Sequence, residues 1–431
     1  MYLFCNELSF RTMKKQFSPW RWIPSLYFTE GIPYVMAMTV SVIMYKRSGL
    51  SNTDIAFYTG WLYLPWVIKP FWSPFVDLLK TKRWWILSMQ LFIGAGLACV
   101  AFVLPTPGYF QISICLFWLV AFSSATHDIA ADGFYMLALD ERRQSFFVGI
   151  RSTFYRLATI FGQGLLVIMA GYLEQKTHNI PYAWSITLLV AAGIFIAVFA
   201  YHKFALPYPP ADGKTIGVQY KQTFLRFAEV FSSFFAKKDV GFFIAFMLLY
   251  RLSEAMLVKL ASPFMLDARS VGGLGLSTEA VGLVYGTVGV AALTVGGILG
   301  GIAISRRGLS YWTLPMTLAI TLPNAVYVYL ALQQPTSLML INTAVALEQF
   351  GYGFGFTAYM MYLIRFSEGQ YKTSHYALCT SFMALGMMLP GMAAGFIETW
   401  LGGYAHFFIF VMICTIPTIA IVPFVESKFH R

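Results

Sequence analysis

Ten full charges fall inside apolar stretches of this sequence: Glu30, Asp128, Asp132, Glu254 and Glu348 against Lys69, Arg151, Arg156, Arg251 and Lys259. Each is costly in hydrocarbon unless it pairs or faces water, so they must point at one another or into a cavity. Asp128 and Asp132 stand four residues apart, which places both carboxylates on one face of a helix. Counted outward from a turn near 140–144, Asp132 is level with Arg151 and Asp128 with Arg156, which predicts those two cross-helix pairs. Glu30 and Lys69 fall at a similar depth. Two roles are open to the cluster: a carboxylate beside a cation exchanges a proton as its partner swings away, or fixed ion pairs set helix register. Arg251 and Lys259 either neutralise an anionic solute or pair with Glu254 and Glu348. His127 adjoins Asp128 and either relays protons or stays neutral and hydrogen-bonded; His375 is the other polar ring in or beside an apolar stretch. Among the aromatics, Trp61, Tyr63, Trp66, Tyr352 and Tyr359 are candidates to stack on a sugar ring, against the plainer role of packing or facing lipid.

The elements that carry these residues are membrane spans. The 431-residue chain is 58% hydrophobic and only 11% charged, against roughly 25% charged in soluble domains. Apolar runs occupy 22–46, 55–77, 84–104, 109–139, 146–173, 182–202, 240–266, 278–304, 311–332, 337–364, 374–398 and 403–425, each able to cross roughly 30 Å of hydrocarbon. The expectation is an all-α polytopic membrane protein with 12 transmembrane helices. The net charge of +11 does not mark a nucleic-acid binder, because most of the 30 Lys and Arg gather on one side, while Lys46, Arg47, Lys176 and Arg269 lie on the other. By the positive-inside rule both termini are cytoplasmic. The first span is too long for a signal-peptide core and lacks a cleavage site after it, so it is expected to be retained. Met13, followed by Lys14 and Lys15, is a possible true start. Five cysteines without a C-x-x-C pair suggest neither a disulfide framework nor a metal site, and no cofactor is expected.

The longest polar interruption, 204–238, opens with Pro207, Pro209 and Pro210 and separates six spans from six. The expected organisation is a six-helix bundle over 1–203, a cytoplasmic linker over 204–238 and a second bundle over 239–431. Within the linker, Phe224, Phe227, Phe231 and Phe234 recur at helical spacing, apart from Lys221, Arg226 and Lys237, as in an amphipathic helix lying on a leaflet. An internal repeat supports the division: Ser73, Asp77, Lys80, Arg83 and Trp84 after span 2 answer Gly301, Ser305, Arg306, Arg307 and Trp312 after span 8, and Thr29-Glu30 answers Ser253-Glu254. These basic loops are expected to pair with neighbouring helices and hold a gate closed. Gly31 with Pro33, and Gly351, Gly353 and Gly355, are expected to interrupt spans 1 and 10 beside a cavity.

A duplicated six-helix unit with a basic loop between its second and third helices resembles the major facilitator superfamily. Within it, Lys69, Trp72, Ser73, Pro74 and Asp77, then Ser124 through Ile129 with Asp132, then Glu348 with its three glycines, then Thr373 through Leu378, look like the AmpG-type muropeptide permeases. The resemblance implies a major facilitator fold and proton-driven import of anhydromuropeptides across the bacterial inner membrane for cell-wall recycling, with Asp128, Asp132 and Lys69 as functional positions. It implies a small, anionic sugar-peptide substrate and protons as partners, in a monomer within the bilayer. The chain departs from the family at His127, His375 and Glu30. Acetyl-coenzyme A transporters share the general pattern more weakly, and the alternative is a transporter of another anionic solute, such as acyl-coenzyme A or a peptide or sugar conjugate. An integral membrane enzyme or a non-transporting sensor is the rival class, but no H-E-x-x-H, nucleophile elbow or phosphate loop is present.

Overall fold

In a computed structural model, the described residues are 18–210, 212 and 220–429, and they contain helices and no strands. Met13 to Lys15, Cys5, Lys214 and the side chains of Asp77, Lys221, Phe224 and Arg226 lie outside the described residues. Among the described residues, ten helices are long and apolar enough to cross a membrane. In chain order these are α1 (Pro19–Arg47), α3 (Lys82–Val103), α4 (Tyr109–Ala138), α5 (Glu141–Thr177), α6 (Ile180–Ala205), α7 (Val240–Leu266), α8 (Thr278–Arg307), α9 (Leu309–Gln333), α11 (Lys372–Leu401) and α12 (Tyr404–Val425). The other two expected spans are α2, in pieces over 52–79, and α10, one helix over Leu338–Phe366.

Local chemistry fixes where these helices begin. Side chains of Ser51, Thr81, Asp140, Asn179, Ser277 and Ser337 each accept a backbone N–H of the first turn of α2, α3, α5, α6, α8 and α10, which satisfies first-turn donors that have no partner within the helix. Between α11 and α12 the chain reverses through Gly402 and Gly403 at φ +81° and +125°, a region that favours glycine.

Interruptions do not fall where the glycines predicted. Span α2 is broken into Asn52–Trp61, Leu64–Val67 and Lys69–Leu79, with Pro65 and Pro70 each early in a new segment, where a missing N–H costs least. Span α7 breaks at Tyr250–Arg251; Tyr359 Oη and Thr418 Oγ1 donate to the carbonyls of Met247 (2.8 Å) and Leu249 (2.9 Å) beside the break. Span α10, by contrast, is continuous through Gly351, Gly353 and Gly355. A methyl at these positions would sit 2.1 Å from the Ala319 carbonyl, 2.0 Å from that of Leu293 and 2.3 Å from that of Met316. These glycines let α10 press onto α8 and α9; they do not free its backbone. In α1 the helix runs past Gly31, which lies against α5 at Ala158, and widens into a π-helical turn at Met36–Val40 after Pro33.

The linker carries a helix, Tyr220–Phe235, and its apolar face meets protein, not a leaflet. Phe234 is fully buried against Phe366 and Phe382, and Phe227 and Phe231 meet Phe71 of α2 with ring centroids 6.0 and 5.3 Å apart.

At the end of the molecule remote from the linker, the two sets of helices are joined. Lys46 pairs with Asp267 at 2.7 Å, Asn52 donates to Tyr404 Oη at 2.7 Å, Tyr404 donates to Asp267 at 2.6 Å, and Thr278 donates to Glu174 at 2.7 Å. Backbones touch along this seam. A methyl on Gly286 of α8 would lie 1.9 Å from the Gln163 carbonyl of α5, and one on Gly395 of α11 would lie 2.4 Å from the Asn52 carbonyl of α2.

Candidate functional site: a charge cluster in the first bundle

Four helices of the first bundle converge on one charge cluster. Glu30 sits on α1 one turn before Pro33, and Lys69 opens the last segment of α2. Asp128 and Asp132 share a face of α4, and Arg151 comes from α5. Lys69 donates to Asp128, and Arg151 Nη2 donates to Asp132 Oδ1 at 2.6 Å. Tyr27, one turn before Glu30, donates to the same oxygen at 3.3 Å, and the Arg151 guanidinium lies 4.5 Å from its ring centroid. One predicted pair is present and the other is not: Lys69 takes the place expected of Arg156, and among the described residues Arg156 has no carboxylate within ion-pair distance. Arg156 is level with Asp128, but the α2 break brings Lys69 into line with the carboxylate.

The side chains of Lys69, Asp128, Arg151 and Asp132 are 26, 22, 27 and 38% exposed. These four side chains are therefore partly open to solvent. Glu30 is only 7% exposed, and its Oε2 has no hydrogen-bond partner. Oxygens of Glu30, Asp128 and Asp132 lie within 4.8 Å of one another, a spacing that suits a cation.

The second bundle carries its charges sealed from water. Arg251, at the α7 break, donates to Tyr352 and lies 4.9 Å from the Phe356 ring centroid. Lys259 reaches across to Thr59 Oγ1 of α2 at 3.0 Å and lies 5.7 Å from the centroid of Tyr63. Tyr63 and Trp66 in turn meet Tyr34 edge-on. Glu254 has no hydrogen-bond partner on either oxygen, and Glu348 accepts from Gln349 at 3.0 Å and Tyr327 at 3.5 Å. Neither acid forms an ion pair with Arg251 or Lys259 among the described residues. Tyr359 is fully buried, stacked on Tyr250 and bonded to Met247, so it packs the second bundle and presents no free face. Trp61 lies against Phe57.

Both histidines have structural partners. His127 Nε2 lies 3.1 Å from Gln90 Nε2, which lies 2.8 Å from His202 Nδ1; His202 Nε2 reaches Ser25 at 2.8 Å. The Gln90 amide donates to both rings, so each ring nitrogen facing it is an unprotonated acceptor. His375 meets Ser233 Oγ at 3.0 Å and so pins the linker helix to α11. Of the basic loops, Lys80 lies over Trp84, and Arg83 stacks 3.9 Å from the Tyr208 centroid while Asp212 accepts the backbone N–H groups of Lys82 and Arg83. Arg307 bonds Tyr311, and Arg306 is exposed. Sequence reasoning missed Tyr27, Gln90, His202 and Asn52. Tyr27 was within reach of it, because a residue three before Glu30 shares its face.

Residues 25–389 match the Major Facilitator Superfamily model, and the chain belongs to that family. Its curated relatives include proteins named as transporters. It is 26% identical over 414 residues to the putative transporter AmpG 4 of Rickettsia conorii, covering 94% of this chain and 95% of that one. It is 24% identical over 400 residues to the anhydromuropeptide permease of Escherichia coli K12, covering 91% and 76%. The solved nucleoside transporter NupG superposes with a TM-score of 0.69 over 95% of this chain and 98% of that one at 14% identity, which shows the fold alone. The protein is thus a multi-pass membrane transporter and not an enzyme.

Proposed function

We propose that this protein is a secondary active transporter that imports anhydromuropeptides, anionic sugar-peptide fragments of the cell wall, across the bacterial inner membrane in symport with protons. Likeness to AmpG-named relatives along nearly the whole chain supports the substrate class. The observation that carries the chemistry is the pairing of cations with aromatic faces where the bundles meet: Arg251 with Tyr352 and Phe356, and Lys259 with Tyr63. Carboxylates on a sugar scaffold match that combination. The charge cluster of the first bundle supplies carboxylates for proton coupling. Most Lys and Arg lie at the linker end, which supports a cytoplasmic placement of that end.

Purified protein in proteoliposomes should accumulate labelled anhydromuropeptide under an inward proton gradient, and a protonophore should abolish the accumulation. Free disaccharide without carboxylates should compete less well than intact muropeptide, since it leaves the cations uncompensated. Accumulation of a different solute in its place would remove the muropeptide assignment and leave the transporter class intact.

A further inference from the structure

We infer that the coupling cation is a single proton carried by Glu30, while Asp128 and Asp132 remain in their ion pairs. The inference rests on the proton-coupled reading above and names the residue and the stoichiometry within it. Three carboxylates with oxygens inside 4.8 Å of one another meet two cations, Lys69 and Arg151. Asp128 is held by Lys69, and Asp132 by Arg151 and Tyr27. Glu30 is different in kind. Its Oε2 is buried with no partner, in a residue 7% exposed, beside two other carboxylates. An ionised carboxylate so placed loses its water and is repelled by its neighbours, and one bound monovalent cation brings the cluster to neutrality.

A proton suits the site better than an alkali or divalent metal ion. Lys69 and Arg151 already occupy an oxygen of each aspartate, and a metal ion drawing several oxygen ligands would have to displace them. The charged and titratable groups around Glu30 are Tyr27 on α1, Lys69 on α2, Asp128 and Asp132 on α4, and Arg151 and Tyr155 on α5, the last with Arg156 nearby. His127, though next to Asp128 in sequence, bonds to Gln90 and the His202 chain. Asp128 and Asp132, with side chains 22 and 38% exposed, lie beside buried Glu30 and reach solvent, which gives the proton a wet route out.

The test is accumulation at zero membrane potential across a one-unit pH gradient. One proton per solute supports about tenfold accumulation and two support about a hundredfold, because each tenfold step is 1.4 kcal/mol. Wild type should approach tenfold. Glu30→Gln should lose accumulation while solute exchange falls far less, and should take up no proton on solute addition in weakly buffered detergent. Glu30→Asp should restore accumulation with a shifted pH midpoint; if Glu30→Gln does not fold, this variant carries the test, and an unchanged pH profile overturns the assignment. A plateau near a hundredfold, or accumulation driven by a sodium gradient without a pH gradient, also overturns it. Proton-driven accumulation by folded Glu30→Gln sinks the inference alone, whereas a wild type that accumulates under no gradient sinks the coupled-transport reading beneath it.

Discussion

Asp132 and Arg151 meet at 2.6 Å with side chains 38 and 27% exposed. At that exposure solvent screens the pair, so its stabilisation is no more than about 1 kcal/mol. Asp132→Asn or Arg151→Gln should each lower the thermal midpoint by about 1–3 °C, and the double substitution should recover part of the loss. The four midpoints form a double-mutant cycle, and strict additivity would show that the contact is incidental. This pair was legible in the sequence because α4 and α5 join through a short turn at Leu139–Asp140 and rise equally from it. Equal depth does not fix direction around a helix axis. The same counting therefore named Arg156 for Asp128, whereas the cation that reaches it, Lys69, comes from a third helix. Glu30 was legible as a buried acid, but its unpartnered oxygen depends on where α2, α4 and α5 place their side chains.

Breaks in helices were harder to read than the helices themselves. The α7 interruption at Tyr250–Arg251 contains neither Gly nor Pro, and its carbonyls are satisfied by Tyr359 and Thr418, which are distant in sequence. No local pattern announces such a break. The glycines of α10 were visible and gave the wrong expectation, because glycine serves close approach as well as bending. Their role is testable at Gly353. Alanine there would place its methyl 2.0 Å from the Leu293 carbonyl, a backbone atom that no rotamer change can move. Gly353→Ala should cost about 1–3 kcal/mol of stability and reduce the yield of monodisperse protein. A variant as stable as wild type would show that α8 and α10 have room to part.

The molecule as a whole is held in one state by the seam at the closed end. Gly286 touches the α5 backbone there, and an alanine methyl would sit 1.9 Å from the Gln163 carbonyl. Gly286→Ala should disfavour closure and expose the bundle interface to the outside. The readout is an impermeant thiol reagent applied to cells after the native cysteines are replaced. A cysteine at Lys176 should label in both backgrounds, which checks the orientation, while one at Thr59, fully buried here, should label only with Gly286→Ala. Labelling at Thr59 in neither background would count against the seam as a gate, and failure at Lys176 would invert the topology.

The tether between the bundles is anchored twice. Arg83 and the N-terminus of α3 grip Tyr208 and Asp212, while His375 and Lys237 clamp the linker helix to the second bundle. Each half thus carries its own share of the connection. In genetic terms this predicts a chain divisible between Asp212 and Tyr220: two co-expressed genes should together restore the uptake that neither half gives alone, and no uptake from the pair would show that the halves must be born on one ribosome.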